Sequence, residues 1–177
     1  MLTQKQYGVL RAMVIGVLAT LISLAIAVIM GPSALISVPG QSGALRHALS
    51  WDVLIVACLM VTIGLLARHR FFTPDDIDGG GLTRGTPRAQ MLQAILQNTL
   101  EQTVLAVSVH MIWAAVMPDS WQAAVPAAVI LFLLGRVLFA RGYSRGAPGR
   151  ALGFALTFYP SVAMVIVLTG SLILRVF

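Results

Sequence analysis

The run 12–30 (AMVIGVLATLISLAIAVIM) carries no charge. A bilayer core about 30 Å thick is crossed by roughly 20 apolar residues rising about 1.5 Å each, so this stretch alone predicts a membrane span. Lys5 and Arg11 precede it, as in a signal peptide. The apolar part of such a peptide is only about 7–15 residues, however, and no small-x-small cleavage site follows cleanly. The run reads as a retained anchor. The rest of the chain agrees: of 177 residues, 58% are apolar and 10% charged, against about 25% charged in soluble domains. Disorder requires low hydrophobicity and is excluded. The single cysteine, Cys58, lies in an apolar run and reads as a packed thiol.

Four further spans follow. Residues 31–50 are rich in Gly, Pro and Ser and read as an extramembrane loop. A short span over 53–67 opens behind Trp51, an interfacial anchor. Arg68 and Arg70 are expected to snorkel from its end. Residues 71–87 form a loop with three of the six acids, and its Gly79-Gly80-Gly81 lacks the Gly-Lys-Ser/Thr ending of a phosphate loop. A third span runs over 88–117. Asp119 or Ser120 is expected to cap a fourth over 121–141. After a break at 143–149 (YSRGAPG), the fifth covers 151–174, with Pro160 a kink. No internal repeat supports a transporter of inverted halves.

A net charge of +6 would suggest a nucleic-acid surface in a soluble protein, but here the basic residues sit in clusters between the apolar runs. With five spans, Lys5, Arg11, Arg68, Arg70, Arg84, Arg88, Arg136, Arg141, Arg145 and Arg150 share one side, and only Arg46 and Arg175 the other. Cytoplasmic loops carry the excess of Lys and Arg. The expectation is a multi-pass protein of the bacterial inner membrane with a cytoplasmic amino terminus and no nucleic-acid partner.

The third span is unusually polar. Gln90, Gln93, Gln97 and Glu101 stack on one helical face, flanked by Asn98 and Gln102. About 20 residues back from Met117, Glu101 falls just inside the hydrocarbon. An ionisable group there costs about 2.5–3.5 kcal/mol on insertion scales and is expected to face protein or a wet cavity. Hydrogen bonding between helices is the plain alternative for Glu101 and Asn98. Arg136 also lies within a span, with Phe139 and Tyr143 close by and Arg150 beyond the turn. A carboxylate with several arginines describes a site for a small anion bearing an ammonium group. His47, His69 and His110 lack zinc spacing, so no metal is expected; His110 points away from the Glu101 face and reads as a packing or interhelical hydrogen-bonding residue. Neither Gly-x-Ser-x-Gly nor His-Glu-x-x-His occurs. Tyr7, Tyr159 and the phenylalanines read as core or interfacial aromatics.

The stretch QNTLEQ (97–102), an apolar half-helix and then GRVLFARGYSRGAPGRALGF (135–154) resemble the MAPEG family, the membrane-associated proteins in eicosanoid and glutathione metabolism. The likeness covers about 51–175 and combines Asn-x-x-Glu with Arg-x6-Tyr-x6-Arg. It implies an all-α integral membrane protein: a four-helix membrane domain over 51–177, preceded by an extra transmembrane helix and loop over 1–50. It further implies a homotrimer in membrane lipid with glutathione as co-substrate, bound between subunits near the cytoplasmic face. Asn98, Glu101, Arg136 and Tyr143 then match glutathione-binding positions, Arg68 a basic residue ending the family's first helix, and Arg150 the arginine that activates the thiol. Ala94 and Phe139 depart from the family, where many members carry Arg and Tyr or His. The expected activity is transferase or peroxidase chemistry on lipophilic electrophiles. The alternatives are a non-catalytic lipid-binding protein and, in a third class, a solute pathway through Glu101.

Overall fold

The computed structural model describes residues 2–31 and 41–176. Among them five α-helices and three short 3-10 turns occur, and no strand. The helices are α1 (Gln4–Met30), α2 (Gln41–Phe72), α3 (Pro87–Val116), α4 (Ala124–Gly142) and α5 (Gly146–Val176). Four helical segments are long and apolar enough to cross a bilayer: Gln4–Met30, Ser42–Phe72, Pro87–Val116 and Asp119–Leu174. The last has 56 residues, far more than one crossing takes. It folds back at the 3-10 turn Tyr143–Arg145, where Gly146 adopts φ 79°, so that α4 and α5 run antiparallel. The chain is an all-α integral membrane protein, with helices where the sequence predicts its five spans.

Three local expectations are corrected. Residues 41–50 are helical, because Ala44 and Ala48 are buried in the core and draw the start of α2 into the bundle; the remainder of that loop, 32–40, lies outside the described residues. The second helix is consequently 32 residues long rather than short, and at its end Arg70 donates to Gln93 Oε1 at 3.1 Å. Neither Asp119 nor Ser120 caps the fourth span. Asp119 opens a 3-10 turn, and α4 starts behind Ala123 with no side-chain cap. The buried Gln122 instead donates to the Met117 carbonyl at 3.0 Å, satisfying the end of α3.

Without a water-driven force between spans, helices associate through close packing of small side chains. Ala106, Ala114, Ala124 and Ala128 supply such surfaces around the fully buried Phe132 and Val129. On α1 the residues Ala12, Gly16 and Thr20, four apart, are buried. A Cβ on Gly16 would lie 2.4 Å from the Ala155 Cβ, and one on Gly8 3.0 Å from the Pro148 Cβ. α1 therefore lies parallel to α5 at near-backbone contact. Its start is fixed by a capping box in which Thr3 and Gln6 bond each other's backbone N–H. Between α2 and α3, His110 Nδ1 meets Asp52 Oδ1 at 2.6 Å, both residues buried, which realises the interhelical bond expected of His110. Cys58 is half-buried against the same core, as expected.

These pairings gather the start of α1, the end of α2, the start of α3 and the α4–α5 turn at one end of the bundle. That end carries the arginine clusters. At its loop, Asp76 ties α2 to α3. The Thr86 hydroxyl donates to Asp76 Oδ2 at 2.6 Å and the Thr86 N–H to Oδ1 at 2.7 Å, while His69 Nε2 lies 2.9 Å from Oδ2. The Thr86 hydroxyl, then its N–H, and the neighbouring His69 hold this carboxyl below the usual carboxylate range. A carboxyl lowered on folding stabilises the fold above its unfolded pKa of about 3.9 and loses that contribution as pH falls through the lower folded value. Asp76→Asn is accordingly expected to lower the melting temperature at neutral pH. The gap to wild type should close on acidification below about pH 4, as thermal unfolding in detergent will show.

Candidate functional site

The site is built on a backbone-close helix contact. α4 and α5 meet at Gly135 and Gly153, where a Cβ on Gly153 would sit 2.3 Å from the Phe139 backbone nitrogen. This approach carries Thr157, one turn beyond Gly153, to Arg136. The Arg136 guanidinium donates from Nη2 to Thr157 Oγ1 at 2.7 Å and from Nη1 to Asn98 Oδ1 on α3 at 2.8 Å. It also packs 4.5 Å from the Phe139 ring centroid. Arg136 is only 4% exposed. It therefore acts as a staple behind Asn98, linking α3, α4 and α5, rather than as part of a ligand-facing wall.

In front of the staple opens a cleft of about 510 Å³, within the range of small-molecule sites. Asn98, Tyr143, Arg150 and Tyr159 provide its polar groups; Ala94, Phe139, Ala151, Phe154 and Phe158 are among its apolar lining. Tyr143 packs edge-on against Phe139, with centroids 5.5 Å apart. The Arg150 guanidinium lies 4.5 Å from the Tyr143 ring centroid. A cation over a ring is stabilised by about 0.5–2 kcal/mol and keeps its N–H edge free to donate. Among the described residues no carboxylate pairs with Arg150. Because an arginine only donates, Asn98 must offer Oδ1 to Arg136, leaving its NH₂ group for a ligand. The polar end thus presents donors, one of them cationic, and no acid. Such an array can hold an anion.

The structure brings Asn98, Arg136, Tyr143 and Arg150 together and leaves Glu101 and Arg68 apart within one chain. Glu101 is exposed and accepts from Gln97 Nε2 at 3.0 Å; Leu100 and Val104 beside it are 42% and 58% exposed. Arg68 is exposed and lines a separate hollow of about 320 Å³ with His69 and Arg88 at the ends of α2 and α3. Sequence reasoning missed Thr157, whose only signal is its place one turn after Gly153. It also read Tyr159, Phe154 and Phe158 as core or interfacial aromatics, whereas they line the cleft.

The model of the MAPEG family matches residues 48–170, which hold α3, α4 and every α5 residue of this cleft. The chain belongs to the MAPEG family. Neither curated proteins nor solved structures give a match. The MAPEG match begins within α2, close to the 51 expected from the sequence, and leaves α1 outside it.

Proposed function

We propose that this MAPEG protein is a glutathione-dependent transferase or peroxidase acting on lipophilic electrophiles. The observation that carries the reading is Arg150: a cation with no acid partner among the described residues, at the polar end of a cleft whose remainder is apolar. A free thiol, pKa near 8.5, is about 3% thiolate at neutral pH, and lowering that pKa by two units requires about 2.7 kcal/mol. One charge-assisted hydrogen bond is worth roughly 1.5–3 kcal/mol. Arg150 alone is sufficient to supply this. The glutathione proton leaves to solvent, and the sulfur attacks the electrophilic carbon. A C–S bond forms as the leaving group departs with the electron pair. With a hydroperoxide the thiolate takes the terminal oxygen and an alcohol leaves; a second glutathione then yields disulfide and water.

Glutathione has two carboxylates and one ammonium group. Asn98 and Tyr143 donate to the peptide, and Arg136 positions Asn98. Glu101 suits the ammonium group, and its exposure on a spanning helix argues for a neighbouring copy, since an ionised group facing lipid costs about 2.5–3.5 kcal/mol. A homotrimer in membrane lipid, with Glu101 and Arg68 of one subunit completing the next subunit's cleft, accounts for both residues. The basic end, ten positive residues against two, faces the cytoplasm, in a bacterial inner membrane.

The competing reading is a non-catalytic lipid-binding protein. Ala94 and Phe139 favour it, because they line the cleft where many family members carry polar groups. Calorimetric titration of the detergent-purified protein with glutathione, with Arg136→Met as the variant, separates the two. Arg136→Met keeps the length of the side chain but removes its hydrogen bonds to Asn98 and Thr157, so a stability loss of about 1–3 kcal/mol is expected. Glutathione binding should weaken about tenfold, about 1.4 kcal/mol, because Asn98 loses its orientation. No glutathione binding by wild type, together with copurifying lipid, supports the non-catalytic reading.

A further inference from the structure

The cleft has a wall that the family match does not include. Val9 and Met13 of α1 line it together with Ala151, Phe154 and Phe158 of α5. Both lie outside residues 48–170. Each follows directly on a residue at the α5 contact: Val9 on Gly8, against Pro148, and Met13 on the buried Ala12. With Gly16 seated on Ala155, α1 cannot move closer, and its register over the cleft is fixed. All five residues are apolar, whereas Asn98, Tyr143 and Arg150 hold the polar end.

We infer that α1 is a built-in wall of the second-ligand site, and that Val9 and Met13 are specificity-determining residues. They select a slender apolar group, alkyl or aryl, that reaches the cleft from the bilayer. The inference rests on the glutathione reading for what occupies the polar end. The electrophile's apolar body lies along Val9, Met13 and the stacked Phe154–Phe158 pair, whose centroids are 5.4 Å apart. The reacting carbon is thereby held toward Arg150. α1 thus adapts a shared catalytic end to this chain's own range of acceptors.

The test compares glutathione with S-hexylglutathione by calorimetry on the full-length protein. Each buried methylene contributes about a fourfold gain in affinity, so wild type is expected to bind the hexyl compound at least tenfold more tightly. The Val9→Ala/Met13→Ala variant should lose at least fivefold of that gain and bind glutathione itself within twofold of wild type. A gain that survives intact in the variant overturns the inference. A second measurement stands without glutathione. In a Cys58→Ser background, the thiol of Met13→Cys is modified with N-ethylmaleimide in the presence and absence of hexylbenzene. Leu18→Cys, on the exposed face of α1, is the control. Hexylbenzene should slow modification at Met13→Cys at least threefold and leave Leu18→Cys unaffected. Equal slowing at both positions, or at neither, overturns the wall. Protection at Met13→Cys in a protein that binds no glutathione leaves the wall standing and removes the glutathione reading instead.

Discussion

Replacing Arg150 with alanine is expected to lower kcat/KM for glutathione conjugation by about 10²-fold or more. Loss of a single charge-stabilising donor at a reacting centre costs about 10²–10³-fold in characterised enzymes, and returning the thiol to a pKa near 8.5 removes most of the thiolate at neutral pH. The pH profile supplies the signature. Wild type should be nearly flat above about pH 7, whereas Arg150→Ala should gain close to tenfold per pH unit until about pH 8.5. Arg150→Lys should recover part of the rate, because it restores a charge without the planar fork that lies over Tyr143. Arg150 is half-buried and has no carboxylate partner among the described residues, so the fold is expected to survive both substitutions. A full collapse of stability in Arg150→Ala would assign the residue a structural role.

Gly153→Val should have the largest effect on stability. The new Cβ would meet the Phe139 nitrogen at 2.3 Å and both the Phe139 Cα and the Gly135 carbonyl at 2.6 Å. These are backbone atoms of a facing helix and cannot swing aside as a side-chain tip can. Overpacking a core costs typically 1–3 kcal/mol, and a backbone clash belongs at the upper end, about 3 kcal/mol or more. α4 must move off α5, which pulls Arg136 from Thr157 and frees Asn98. Glutathione binding and thermal stability are expected to fall together. Gly170→Ala is the control. A Cβ there meets nothing within 4 Å, and alanine is the better helix former by about 0.5–1 kcal/mol. Thermal unfolding in one detergent compares the three proteins directly.

The spans were legible because a bilayer demands long uncharged runs, and 12–30 or 103–117 have no other soluble use. That the α2–α3 and α4–α5 turns share one end of the bundle was legible from their arginines. The grouping of Asn98, Arg136, Tyr143 and Arg150 was legible because all four fall toward the same end of their predicted spans, together with the family resemblance. Thr157 was not, since a threonine on an apolar helix has the same appearance whether it binds its own backbone or a guanidinium. Val9 and Met13 were hidden because nothing in a uniformly apolar helix marks which face meets α5; only Gly8, Ala12, Gly16 and Thr20, taken together, carry that information. The start of α2 was missed because Ala44 and Ala48 follow a Gly- and Ser-rich stretch whose local preference is for a loop, and core packing outweighs it. Asp52 and His110 are distant in sequence, and only the structure shows that they pair.

The account depends on Arg150 holding a thiolate in the cleft, and ultraviolet absorbance reads this without a second substrate. Purified protein saturated with glutathione at pH 7 is expected to show thiolate absorbance from about three-quarters of the bound ligand, against about 3% for free glutathione, and the signal should vanish in Arg150→Ala. Bound glutathione with no more thiolate than the free compound, or a signal that persists in Arg150→Ala, would contradict the account.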